Sequence, residues 1–132
     1  MILVIDGQGG RMGALLVKRL RELSPQAQVM AVGTNSIATA AMLKAGADMG
    51  ATGENPAVRA AARAGVIAGP IGILAADAIL GEVTPRIAEA VGASPARKVL
   101  IPVANCNITV VGSENMKLAD AIDAAARECL RA

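Results

Sequence analysis

The chain contains no phenylalanine, tyrosine, tryptophan or histidine among its 132 residues. Without histidine, the commonest general acid–base group and metal ligand is gone. Without tyrosine, the Tyr–Lys proton donor of short-chain dehydrogenases cannot be built. Without aromatic rings, a flavin or an adenine can be sandwiched only by Ile, Leu or Met. The base-stacking platform usual in nucleic-acid binders is missing as well. Cysteine is limited to Cys106 and Cys129 with no CxxC spacing, so free thiols in a reducing compartment are expected. A transition metal would need those two scattered thiols plus carboxylates, a poor ligand set, and no metal site is expected.

Long apolar runs are also lacking, and none approaches the ~20 residues that span a bilayer. The start, Met1-Ile2-Leu3-Val4-Ile5-Asp6, has no basic n-region and soon meets an acid, so no signal peptide is expected. The net charge is only +2. The tightest basic cluster, Lys18, Arg19 and Arg21, reads as the wet side of a helix. These absences predict a cytoplasmic protein that partners neither membrane nor nucleic acid.

What the chain does have is aliphatic surface: 54% of it is hydrophobic, and it carries 14 glycines. The core must therefore be Ala, Val, Ile, Leu and Met, with thin helices lying close to a sheet. The length fits one domain over residues 1–132, which buries roughly two-thirds of its unfolded surface and needs no staple. So high an apolar fraction in so short a chain predicts a homo-oligomer.

Ile2 to Ile5 is a continuous aliphatic run, the pattern of a buried parallel strand. Met12, Leu15, Leu16, Leu20 and Leu23 then recur at helical spacing, and Ser24-Pro25 stops that helix. Residues 28–33 read as a second strand. Ser36 is placed to cap a helix that Gly46 ends. Asn55-Pro56 and Thr84-Pro85 are each a cap followed by proline, opening two further helices. Residues 65–69 and 98–103 read as a third and a fourth strand, with Pro102 marking an edge or a strand end. Ile108 to Gly112 is expected as a short fifth strand returning in a hairpin. Leu118, Ile122, Ala125, Cys129 and Leu130 form the inner stripe of a closing helix. The alternation predicts an α/β, Rossmann-like three-layer fold with a mostly parallel sheet of four to five strands. Ligands in such sheets sit beyond the carboxyl ends of the strands.

The strongest motif is Asp6-Gly7-Gln8-Gly9-Gly10-Arg11-Met12-Gly13, a glycine-rich turn between strand and helix. Glycines permit positive φ and a close backbone approach to an anion. The N–H groups at the helix start, with the helix dipole, supply partial positive charge. Arg11 adds a charge-assisted contact to a phosphate, and Gly13 lets the helix pack tightly on the strand. The competing reading is a glycine turn that merely links strand to helix. A dinucleotide site usually has an acid after the second strand. Here that strand ends in Gly33-Thr34-Asn35-Ser36, so a 2′-phosphate held by Thr34, Asn35 or Ser36, a mononucleotide, or another ligand are all open. The cofactor class is NAD(P) or another nucleotide.

The stretch Gly9-Gly10-Arg11-Met12-Gly13 resembles the dinucleotide turn of dihydrodipicolinate reductases, whose catalytic segment has no counterpart in this chain. Over nearly the full length the chain is similar to a bacterial domain-of-unknown-function family. The shared segments are VIDGQGG at the start, residues 33–48, ATGEN at residues 51–55, GPIGI at residues 69–73, and CNI at residues 106–108. That resemblance implies a Rossmann-like fold and supplies no activity.

Other candidates cluster after later strands. Gly69-Pro70-Ile71-Gly72-Ile73 would pass the ligand with a flat backbone, or serve packing alone. Ile73 to Leu80 could be a lid or a subunit interface. Asn105-Cys106-Asn107 stands where a nucleophile or a polar clamp would sit, although a reactive Cys106 needs a base that no nearby residue supplies; a buried, inert thiol is the other reading. Lys44, Asp6, Glu54 and Glu114 are the remaining groups able to do acid–base work. The inventory favours binding of a nucleotide or similar phosphate-bearing ligand over chemistry. The alternatives are a small NAD(P)-dependent oxidoreductase that works as an oligomer, and a non-catalytic scaffold.

Overall fold

The computed structural model describes residues 1–131, with the side chain of Asn105 outside that description. Five parallel strands, β1 (Ile2–Asp6), β2 (Val29–Gly33), β3 (Met49–Thr52), β4 (Val66–Pro70) and β5 (Arg97–Ile101), form one sheet in the order β3-β2-β1-β4-β5. The chain winds outward from β1 to β3, then returns to the other side of β1 to lay down β4 and β5. This is the doubly wound, Rossmann-like order, and its switch point lies between β1 and β4.

Strand alternation divides the core. Ile2 and Val4 face one layer, where Leu16, Val17 and Leu20 of α1 (Arg11–Leu23) pack with Ala38 and Met42 of α2 (Ser36–Ala45). Ile122, Ala125 and Cys129 of α5 (Leu118–Leu130) complete that layer. Leu3 and Ile5 face the other layer, where Ala57, Ala60 and Ala61 of α3 (Glu54–Ala61) meet Ile87 and Val91 of α4 (Pro85–Ala93). Small residues let the helices lie close. A Cβ on Gly13 would come within 2.6 Å of Met42 Sδ and 2.9 Å of Asp6 Cβ.

Several local expectations need correction. The fifth strand is β3, not Ile108 to Gly112, which lies in irregular turns. β3 is a short, mostly exposed edge strand whose sequence, MGAT, carries no aliphatic run. The cap of α2 is Asn35, whose Oδ1 accepts the Ala38 amide at 2.9 Å, rather than Ser36. Asn55 lies inside α3, after an N-cap at Gly53 with φ +105. Thr84 does cap α4, accepting the Ile87 amide at 3.2 Å. β5 is an edge strand that ends before Pro102, where the ring's missing N–H breaks no ladder.

Candidate functional site

At the switch point, the turn between β1 and α1 opens into a crevice of about 500 Å³. Asp6 to Met12 line one wall. Pro70 at the end of β4, Gly72 after it, Ile79 and Leu80 from the following segment, Val103 and Cys106 after β5, and Leu118 of α5 line the rest. Its size is ordinary for a small-molecule site, and its walls are mainly aliphatic with polar backbone on one side.

The turn is built by two carboxylates. Asp6, at the end of β1, is buried; its Oδ1 accepts the Gly7 amide and its Oδ2 the Gly13 amide, each at 2.7 Å. An acid seven residues away thus caps α1 in place of the residue before the helix, Gly10, which has no side chain to offer. Burial pushes the Asp6 carboxyl up from its ordinary value, against the lowering effect of the Gly13 and Gly7 amides, and the nearby Glu82 charge adds to the rise.

Glu82, in the loop before α4, reaches across the sheet edge. Its Oε1 accepts the Gln8 amide at 2.9 Å, Thr34 Oγ1 at 2.6 Å and Asn35 Nδ2 at 2.8 Å. The Thr34 hydroxyl and the Gln8 amide, in that order, hold the Glu82 carboxyl below its usual range.

The start of α1 is thus only partly open, contrary to the expectation of a turn whose amides are all free. Gly7, Gln8, Gly10 and Gly13 donate to Asp6, Glu82, Gly7 O and Asp6 respectively. Among the described residues, the amides of Gly9, Arg11 and Met12 make no backbone or side-chain hydrogen bond. The exposed Arg11 side chain joins no ion pair among them.

The glycines divide by task. Gly10 has φ +69, and a Cβ there would lie 2.7 Å from Ala38 Cα and 2.8 Å from Ala38 O. Gly7 lies under Thr34 and Glu82. Gly9 has nothing within 4 Å of an added Cβ.

Of the residues singled out in the sequence, Asp6, Gly7, Gln8, Gly9, Gly10, Arg11, Met12, Pro70, Gly72 and Cys106 come together around the crevice. Thr34 and Asn35 are not among its described lining; their polar groups are committed to Glu82, Gln8 O and the cap of α2. Gly69 lies in β4, where a Cβ would collide with Ile5 O. Ile71 is half-buried in a short 3-10 turn, Ile71–Leu74. Asn107 is exposed at φ +58, and the Asn105 side chain lies outside the described residues. Cys106 is half-buried and its Sγ donates to Val103 O at 3.3 Å. Glu54 is turned to Arg86, 3.7 Å away. Lys44 and Glu114 are exposed and outside the crevice lining.

The sequence reading missed Glu82, Ile79, Leu80, Val103 and Leu118 as parts of this region. The apolar run to Leu80, expected as a lid or interface, and the carboxyl end of the expected fourth strand at Val103 were the only signals for any of them. Among the described residues there is no group of three or more His, Cys, Asp or Glu able to hold a metal ion. No helix among them is long and apolar enough to cross a membrane.

The family model described as "Domain of unknown function (DUF3842)" matches residues 1–132. No curated protein matches. A solved structure, a dodecameric FMN-dependent UbiX-like decarboxylase from Escherichia coli O157:H7, is similar at a TM-score of 0.54 with 16% identity. The similarity covers 98% of this chain and 92% of that one. At that identity the likeness concerns the fold.

Proposed function

The chain belongs to the DUF3842 family over residues 1–132, and from the geometry of its crevice we propose that it binds a phosphate-bearing nucleotide with the phosphate at the glycine turn. One observation carries the reading: among the described residues the Gly9, Arg11 and Met12 amides make no hydrogen bond at the start of α1, and the exposed Arg11, in no ion pair among them, lines the same crevice. Backbone N–H groups at a helix start favour an oxyanion, and Arg11 adds a charge-assisted donor. The base or ring system then lies against Ile79, Leu80, Val103 and Leu118, which replace aromatic stacking with aliphatic contact. That a similar fold serves an FMN-dependent protein is in keeping with a flavin-sized occupant.

The reading is of binding, not of a particular reaction. Both oxygens of Asp6 are engaged as a cap, and the Cys106 thiol faces a carbonyl rather than a base. We propose too that the chain forms a homo-oligomer. Ile37, Met49, Val111 and Met116 are half to nine-tenths exposed, and light scattering that returned a monomeric mass would refute this.

The binding proposal is tested by following backbone amide NMR signals during titration with FMN, NAD, NADP, ATP, GTP, S-adenosylmethionine and inorganic phosphate. The expected result is a saturable shift at Gly9, Arg11 and Met12 for at least one nucleotide, weakened in Arg11→Gln. Saturable shifts confined to other parts of the chain, or none with any compound, would overturn it.

A further inference from the structure

The segment between the 3-10 turn and α4 is held in an unusual backbone. Asp77, Ile79 and Leu80 have φ of +66, +55 and +53, a region that a β-branched residue such as isoleucine rarely enters. Such conformations persist only where the surroundings fix them. Here the far end of the segment is fixed by Glu82, whose single oxygen Oε1 gathers Gln8 N, Thr34 Oγ1 and Asn35 Nδ2 within 2.6–2.9 Å. A Cβ on Gly7 would lie 2.9 Å from that same oxygen, so the carboxylate rests directly on the turn.

This position bears on what can extend beyond the turn. In a sheet wound in this order, a dinucleotide spans the switch point with one nucleotide over each half. The open crevice is lined by residues of the β1 turn and of the β4 and β5 side, with none from β2 or α2. Toward β2, the donors that a second nucleotide would use are already taken by a negatively charged group. The second phosphate of a dinucleotide belongs at the turn itself, beside the carboxylate that Glu82 rests on Gln8 and Gly7, and like charges forced together are strongly disfavoured.

Resting on the nucleotide reading above, we infer that Glu82 is a specificity-determining residue that limits the ligand to a mononucleotide by closing the β2 side of the crevice. Glu82 sets ligand size and charge from a loop 74 residues away from Gln8, the turn residue whose amide it holds.

The test uses matched pairs that share a head group: FMN with FAD, and nicotinamide mononucleotide with NAD. Calorimetric titration is expected to show wild-type protein binding the mononucleotide of at least one pair about tenfold or more tightly than its dinucleotide. Glu82→Ala frees the Gln8, Thr34 and Asn35 donors and is expected to narrow that ratio chiefly by strengthening the dinucleotide. Glu82→Gln keeps an acceptor of the same size but removes the charge; it guards against a folding defect and is expected to fall between the other two. A mononucleotide preference that both variants leave unchanged would overturn the inference. Equal or tighter wild-type binding of the dinucleotides would also overturn it, and in both cases the nucleotide reading stands. If no member of either pair binds wild type or variant, this inference falls, and the nucleotide reading then rests on the amide titration alone.

Discussion

Gly9 and Gly10 are neighbours in one turn, yet the structure predicts opposite consequences for the same added methyl group. In Gly10→Ala the new Cβ would lie 2.7 Å from Ala38 Cα and 2.8 Å from Ala38 O, both backbone atoms that cannot swing aside. Gly10 also sits at φ +69, where an L-residue costs roughly 1–2 kcal/mol. Relieving the overlap by shifting α2 adds about 1–3 kcal/mol. Together these give roughly 2–5 kcal/mol, a large share of the ~5–15 kcal/mol that holds a typical domain. At about 3–5 °C per kcal/mol for a chain of this size, the melting midpoint should fall by roughly 6–25 °C. In Gly9→Ala nothing lies within 4 Å of the methyl, so stability should stay within about 0.5 kcal/mol. The methyl does stand on the wall of the crevice, where it hinders an anion approaching the amides. Calorimetric melting with and without a nucleotide that shifts the wild type separates the two effects. A ligand at ~100 times its dissociation constant adds about 2.7 kcal/mol to the folded state. Gly9→Ala should keep the bare midpoint and lose most of that gain, whereas Gly10→Ala should lose the midpoint itself. A Gly10→Ala midpoint within about 2 °C of wild type would refute the packing account. An undiminished ligand gain in Gly9→Ala would refute the placement of the phosphate.

Three further outcomes follow from the site. Iodoacetamide should label Cys106 in the native protein and spare Cys129, whose thiol burial pushes up to about 11; a bound nucleotide should slow the Cys106 reaction, and equal labelling of both cysteines would contradict the crevice geometry. The Glu82 carboxyl is held below its ordinary 4.5, so the stability it lends the loop is complete above that pH and is lost as pH falls through the lowered value. Hydrogen exchange in residues 75–83, corrected for intrinsic rates, should therefore rise on acidification below 4.5, and Glu82→Gln should flatten that dependence. Asp6→Ala leaves the Gly7 and Gly13 amides unpaired, and urea unfolding should show a loss of about 1–3 kcal/mol. A loss below about 0.5 kcal/mol would mean that burying the charge had offset the cap.

The sequence and the structure agree where the signal is periodic and local. The aliphatic run of β1, the helical stripe of α1 and the Thr84-Pro85 start of α4 are each written within a few residues. β3 was illegible because an exposed edge strand needs no hydrophobic face, so Met49-Gly50-Ala51-Thr52 looks like a loop. Ile108 to Val110 misled for the converse reason: β-branched residues favour a strand only when a neighbouring strand supplies pairing. The cap at Asn55 failed through tertiary context, since Gly53 at φ +105 starts α3 two residues earlier.

The site was legible to the same degree and for the same reason. The glycine turn is contiguous, so its close packing could be argued from spacing alone, including the tight approach of Gly13 to the strand, where an added Cβ would lie 2.9 Å from Asp6 Cβ. Which amides remain open depends on acceptors that spacing does not reveal. Asp6 reaches Gly13 because strand and helix fold back on each other, and Glu82 reaches Gln8 from 74 residues away. No acid follows β2 in the sequence, yet a carboxylate stands over Thr34 and Asn35, delivered by the loop before α4 and already engaged by their side chains and the Gln8 amide. An absence in a motif therefore says only that the local chain does not supply the group. What stands at that edge, and whether it is open to a ligand, is decided by which distant segment the sheet order carries there.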